Sequence, residues 1–133
     1  MLIWSERSLN VRTTAWSALP FWYQGREYAL AELAPATGAN KLFLQSCFPM
    51  WTPSEYDSLS NAKITDYNER LRGFCAENGF VFVDLADYFR GEDGGIAEEF
   101  TSDHYVHINM AAAQLWVEQL RNPLNYSVDP RSF

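Results

Sequence analysis

The stretch Thr101–Asn109, reading Thr-Ser-Asp-His-Tyr-Val-His-Ile-Asn, contains both histidines of the chain. It sets a carboxylate, Asp103, four residues before an imidazole, His107, and leads directly into the apolar segment Met110–Leu120. A loop entering a helix can hold such a pair close enough for the carboxylate to accept the imidazole N–H. That bond fixes the tautomer and stabilises the imidazolium, which a general base in acyl transfer requires. An imidazolium near a helix N-terminus is disfavoured by the helix dipole, so the carboxylate has to offset that cost. Two other readings stay open. The pair can be a loop-stabilising hydrogen bond, or Asp103, His104 and His107 can form a two-histidine, one-carboxylate metal site. His104 otherwise reads as a rim residue.

Nucleophiles are harder to find. Ser46 and Cys47 fall at the end of an apolar strand, the edge where α/β sites form, and Cys47 with His107 would make a thiolate couple in principle. Cys47 and Cys75 lack pairing or metal-ligand spacing, however, and both sit in apolar patterns, so they read as buried free thiols. Ser102 is too close in sequence to His107 to serve it, and Ser5 and Ser8 lack a strained turn that would expose them. Trp51 and Tyr56, on the loop after the strand, are placed either to line an acyl or sugar pocket or simply to be partly buried.

The elements that must position these residues follow from periodicity. Met1–Trp4 reads as a short strand and Asn10–Pro20 as irregular. Phe21–Leu33 suits a helix interrupted by Gly25, followed by a loop over Pro35–Asn40. Lys41–Cys47 is a strand whose consecutive Leu42, Phe43 and Leu44 fit burial on both faces, as in a parallel sheet. Phe48–Leu59, broken by Pro49 and Pro53, is a long loop. Ile64, Tyr67, Leu71, Phe74 and Cys75 make a helical stripe within Ser60–Asn78, and Gly79 is suited to end it in a left-handed conformation. Phe80–Asp84 is a second buried strand, Gly91–Gly95 a turn, and Asn109 the N-cap of a final helix to about Arg121. This order predicts βα units with a parallel sheet and helices outside it. Residues 1–121 read as one domain and 122–133 as a surface tail.

Composition narrows the function classes. The 133 residues are 47% hydrophobic and 16% aromatic, which argues for a packed core rather than disorder. Ten Lys and Arg, scattered among 17 Asp and Glu, give a net charge of −7, so binding to a nucleic-acid backbone has little support. No apolar stretch reaches membrane-spanning length and no secretory leader pattern opens the chain, so a cytoplasmic location is expected.

Taken in order, these blocks resemble the SGNH/GDSL hydrolases, a family of serine esterases and lipases on a flavodoxin-like sheet. Lys41–Pro49 resembles the family's strand-to-loop segment. The helix carrying Tyr67-Asn68-Glu69-Arg70-Leu71 and the strand Gly79–Asp84 also match, and Ser102–Asn109 is similar to the last block, which carries the catalytic acid and base. The resemblance spans Tyr28 to Leu120. It implies an incomplete α/β, flavodoxin-like three-layer fold, with Asp103 orienting His107 for ester hydrolysis through an acyl-enzyme and with no cofactor. The interval from acid to base is one residue longer here than the family's commonest pattern.

The same resemblance implies a serine in a Gly-Asp-Ser block and oxyanion groups from a glycine and an asparagine block. The first glycine here is Gly25, followed by Arg26-Glu27, and Gly38 is followed by Ala39-Asn40, so neither block is present. Met1–Asn10 is one possible remnant of the third block's strand, with Asn10 near the oxyanion position. The expected activity is therefore SGNH-type ester hydrolysis completed by residues or a partner outside this sequence, with a small ester as substrate. The alternative is a non-catalytic remnant that binds or self-associates through an open sheet edge.

Overall fold

The computed structural model describes the backbone of Leu2–Ser5 and Ser8–Thr13 and the whole of residues 42–132. The helix expected at Phe21–Leu33 lies outside the described residues. Among the described residues four strands form one sheet: β1 (Leu2–Ser5), β2 (Ser8–Thr13), β3 (Leu42–Gln45) and β4 (Val81–Val83), in the order β2-β1-β3-β4. β3 and β4 are parallel, with Leu44 opposite Phe82. β1 runs antiparallel to both β2 and β3, with Ile3 opposite Leu44. The chain is thus a mixed α/β fold with a parallel β3–β4 pair, and the expectation of a wholly parallel sheet is corrected. Ser8–Thr13, inside and beside the segment read as irregular, is a strand. Only two residues separate β1 from β2, and so short a connection can join only antiparallel strands.

The crossover from β3 to β4 contains helix α1 (Asn61–Asn78). Ser60 caps its start by accepting from the Lys63 N–H, and Gly79 ends it at φ 70°, the left-handed conformation expected there. The stripe Tyr67, Leu71, Phe74 and Cys75 packs on Leu42, Leu44 and Phe82. Helix α2 (Met110–Leu120) packs on the other face, where Ala112, Leu115, Trp116 and Leu120 meet Phe43, Val81 and Val83. Alternate residues of β3 and β4 therefore serve opposite helices, which is why both strands are apolar throughout. Each fully buried side chain of this size contributes roughly 1.5–3 kcal/mol. Among the described residues no helix is long and apolar enough to cross a membrane.

After α2 the chain returns along β4. Asn125 and Ser127 hydrogen-bond to Asp84 and Phe82, Tyr126 bridges to Val83, and the Tyr126 ring meets Phe43 edge-on at 6.0 Å.

Candidate active site

Two asparagines of α1 build the platform beneath the site. Asn68 accepts from the Cys47 N–H at 2.7 Å and donates to the Cys47 carbonyl at 3.0 Å. Asn61, two turns earlier, does the same for Met50, at 2.8 and 3.0 Å. The backbone leaving β3 is thus clamped at two points, and Ile96 donates to the Met50 carbonyl as well. These amides satisfy loop groups that no ladder reaches.

The segment 51–56 then grips the acid–base loop. Trp51 donates its N–H to the Tyr105 carbonyl at 2.8 Å, and the Ser54 hydroxyl donates to the His104 carbonyl at 2.7 Å. The loop itself is a small antiparallel ribbon closed by Thr101 opposite Ile108 and by the Ser102 N–H on the His107 carbonyl. Asn109 accepts from the Ala112 N–H as the N-cap of α2 and donates to the Glu99 carbonyl, anchoring the ribbon to the helix.

At the tip, Asp103 and His107 meet. His107 Nδ1 lies 2.5 Å from Asp103 Oδ2, while Asp103 Oδ1 accepts the backbone N–H groups of Tyr105 and His107 at 2.9 and 3.2 Å. One carboxylate therefore holds both the imidazole and the backbone that carries it. The imidazole hydrogen bond, followed by those two N–H groups, keeps the Asp103 carboxyl below its ordinary range. The His107 side chain is 70% exposed, so the face remote from Asp103 is open to a reactant.

His104 sits at φ 52°, a left-handed conformation unfavourable for a side-chain-bearing residue. Four contacts hold it there: Thr101 Oγ1 on its N–H, Ser54 on its carbonyl, Glu98 on its ring at 3.4 Å and the Trp51 ring at 4.9 Å. Such a conformation persists where its surroundings over-determine it. His104 and His107 turn to different carboxylates, and among the described residues no group of three or more His, Cys, Asp or Glu is placed to hold a metal ion.

The other sequence candidates fall elsewhere. Ser46 Oγ is buried and accepts from the N–H groups of Leu85 and Ala86, a structural role. Burial pushes the Cys47 thiol up to about 11 and the Cys75 thiol up to about 12, so neither is an activated nucleophile. Ser5 and Ser8 pair with each other at the ends of β1 and β2. β1 runs opposite to β3, and Asn10 lies in β2, a strand farther out. Asn10, the residue offered for the oxyanion position, is thus separated from β3 by β1. Trp51 is half-buried against His104, while Tyr56 is exposed and its hydroxyl lies 2.9 Å from that of Tyr105. Among the described residues no hydroxyl or thiol is hydrogen-bonded to His107 Nε2.

With that geometry in hand, comparison with known proteins is informative at one level. No protein-family model and no curated protein matches the sequence. A solved structure from Streptococcus pneumoniae, provisionally named as a platelet activating factor, superposes with a TM-score of 0.64 at 21% identity. The match covers 78% of this chain and 50% of that one. The likeness is one of fold. This chain spans about half the length of that neighbour.

Sequence reasoning missed Asn61 and Asn68 as clamps, and Ser54 and Tyr105 as the grip on the loop. The asparagines had a signal. At spacings of three and four they continue the stripe of Ile64, Tyr67 and Leu71 and must face inward, where an amide needs partners. Ser54 and Tyr105 had none, because Ser54 meets the His104 carbonyl and Tyr105 meets the Trp51 N–H, contacts between loops about fifty residues apart.

Proposed function

We propose that this chain is the acid–base half of an SGNH/GDSL-type ester hydrolase on an incomplete flavodoxin-like three-layer sheet. The observation that carries the reading is the Asp103–His107 pair, closed at 2.5 Å on Nδ1 and open on the opposite edge. The order of the sequence blocks, the helices on opposite faces of β3–β4 and the fold neighbour support it. In the proposed reaction His107 Nε2 takes the proton from an attacking hydroxyl as that oxygen bonds to the ester carbonyl carbon. The imidazolium, held by Asp103, then returns the proton to the departing alkoxide, and water repeats the sequence on the acyl intermediate. The hydroxyl and the oxyanion donors come from outside the described residues.

A second reading, a binding module without turnover, draws on the commitments of Ser46 and Cys47 to structure. A short-chain chromogenic ester distinguishes the two. Turnover that vanishes in His107→Ala, survives in Cys47→Ala and is blocked by a serine-directed phosphonate supports the hydrolase. Absence of both turnover and labelling favours the binding module.

A further inference from the structure

Beside the acid–base pair lies a patch that the proposed reaction does not use. The rings of Tyr56 and Tyr105 stack at an interplanar angle of 22° with centroids 6.4 Å apart, and their hydroxyls are 2.9 Å apart. In such a couple one phenol donates and the other accepts, so one O–H remains to donate to a third oxygen, and both oxygens keep lone pairs. The couple is tied to the acid–base pair through the backbone, since the Tyr105 N–H and the His107 N–H share the same Asp103 oxygen. On the same pair of loops the Trp51 and His104 rings meet at 78° with centroids 4.9 Å apart. Tyr56 is 49% exposed, so the couple is open to a ligand.

An acyl chain of a lipid can cover the rings, but it leaves the free O–H and the lone pairs of the couple without a partner. A saccharide ring suits this surface. Its C–H faces lie against aromatic rings, and its hydroxyls both donate and accept, matching the one free O–H and the lone pairs of the couple. We infer that Tyr56 and Tyr105 form a subsite for the sugar ring of a carbohydrate ester, next to His107. The inference deepens the hydrolase reading by naming its substrate class, and rests on it for the role of the site. Binding itself is measured without turnover.

The test is an NMR titration of the full chain, following the ring resonances of Tyr56, Tyr105 and His107, with a neutral oligosaccharide (cellotetraose) and separately with dihexanoylphosphatidylcholine below its micelle concentration. Saturable shifts of the two tyrosines and His107 with the oligosaccharide are expected. Affinity falls about threefold to tenfold in Tyr56→Phe and in Tyr105→Phe, the loss of one hydrogen bond each. Oligosaccharide shifts that are absent, or unchanged in both phenylalanine variants, overturn the inference, as do saturable shifts with the phospholipid alone. If the oligosaccharide binds as expected while no ester is turned over, the subsite stands and the hydrolase reading fails.

Discussion

Asp103 accepts three hydrogen bonds, two of them from the backbone, and so organises its loop as well as its imidazole. Its carboxyl is held below the ordinary value, so folding gains from the ionised form. That gain is present above the unfolded carboxylate range of about 3.9 and is lost as pH falls through the lower folded value. A 13C titration is expected to find Asp103 ionising below an ordinary aspartate, and closer to it in His107→Ala. Denaturant unfolding across the acid range should show a flatter pH dependence for Asp103→Asn than for the parent chain. The spacing of this pair, taken with the blocks around it, made its contact legible, because a four-residue interval before a helix can bring the two groups together. The second role of Asp103, on the Tyr105 and His107 N–H groups, was not legible, since backbone geometry decides it.

The elements that carry the site owe their rigidity to α1. Asn68 is nearly buried, 6% exposed, and no water replaces its clamp on Cys47 without cost. Asn68→Ala is expected to destabilise the chain by about 1–3 kcal/mol, from one buried donor and one acceptor left unpaired, in a urea-unfolding measurement. Asn61→Ala should cost less, because Asn61 is only half-buried. The stripe and terminal glycine of α1, and α2 from Asn109, could be read from the sequence because periodicity and end signals agree, whereas Ser60 lies one residue before α1 as its cap. The β1–β2 pair could not. Leu9 and Val11 alternate with polar neighbours, but over too few residues to stand out, and Glu6-Arg7 lacks the Asn-Gly or Asp-Gly signal of a tight hairpin. With the hairpin unseen, the reversed direction of β1 against β3 was hidden too.

At the scale of the molecule, β2 and β4 are the outer strands of the sheet among the described residues, and the segment after α2 lies along β4. Removing residues 122–133 frees the Phe82 and Asp84 N–H groups and the Phe82 carbonyl from their partners on Asn125 and Ser127. An exposed apolar edge of that kind templates pairing with another chain. The truncated chain is expected to self-associate with rising concentration in sedimentation velocity, whereas the intact chain keeps this edge covered. The role of this segment was not legible in the sequence, because two prolines in a polar tail read as surface chain and its pairing with β4 depends on contacts forty residues apart. The whole functional account depends on the ring of His107 being set by Asp103. Two-dimensional 15N NMR of the neutral imidazole measures this directly. The account predicts that His107 carries its proton on Nδ1, and that Asp103→Asn shifts the ring toward the Nε2–H form. A His107 ring that is Nε2-protonated in the parent chain and indifferent to that substitution would contradict it.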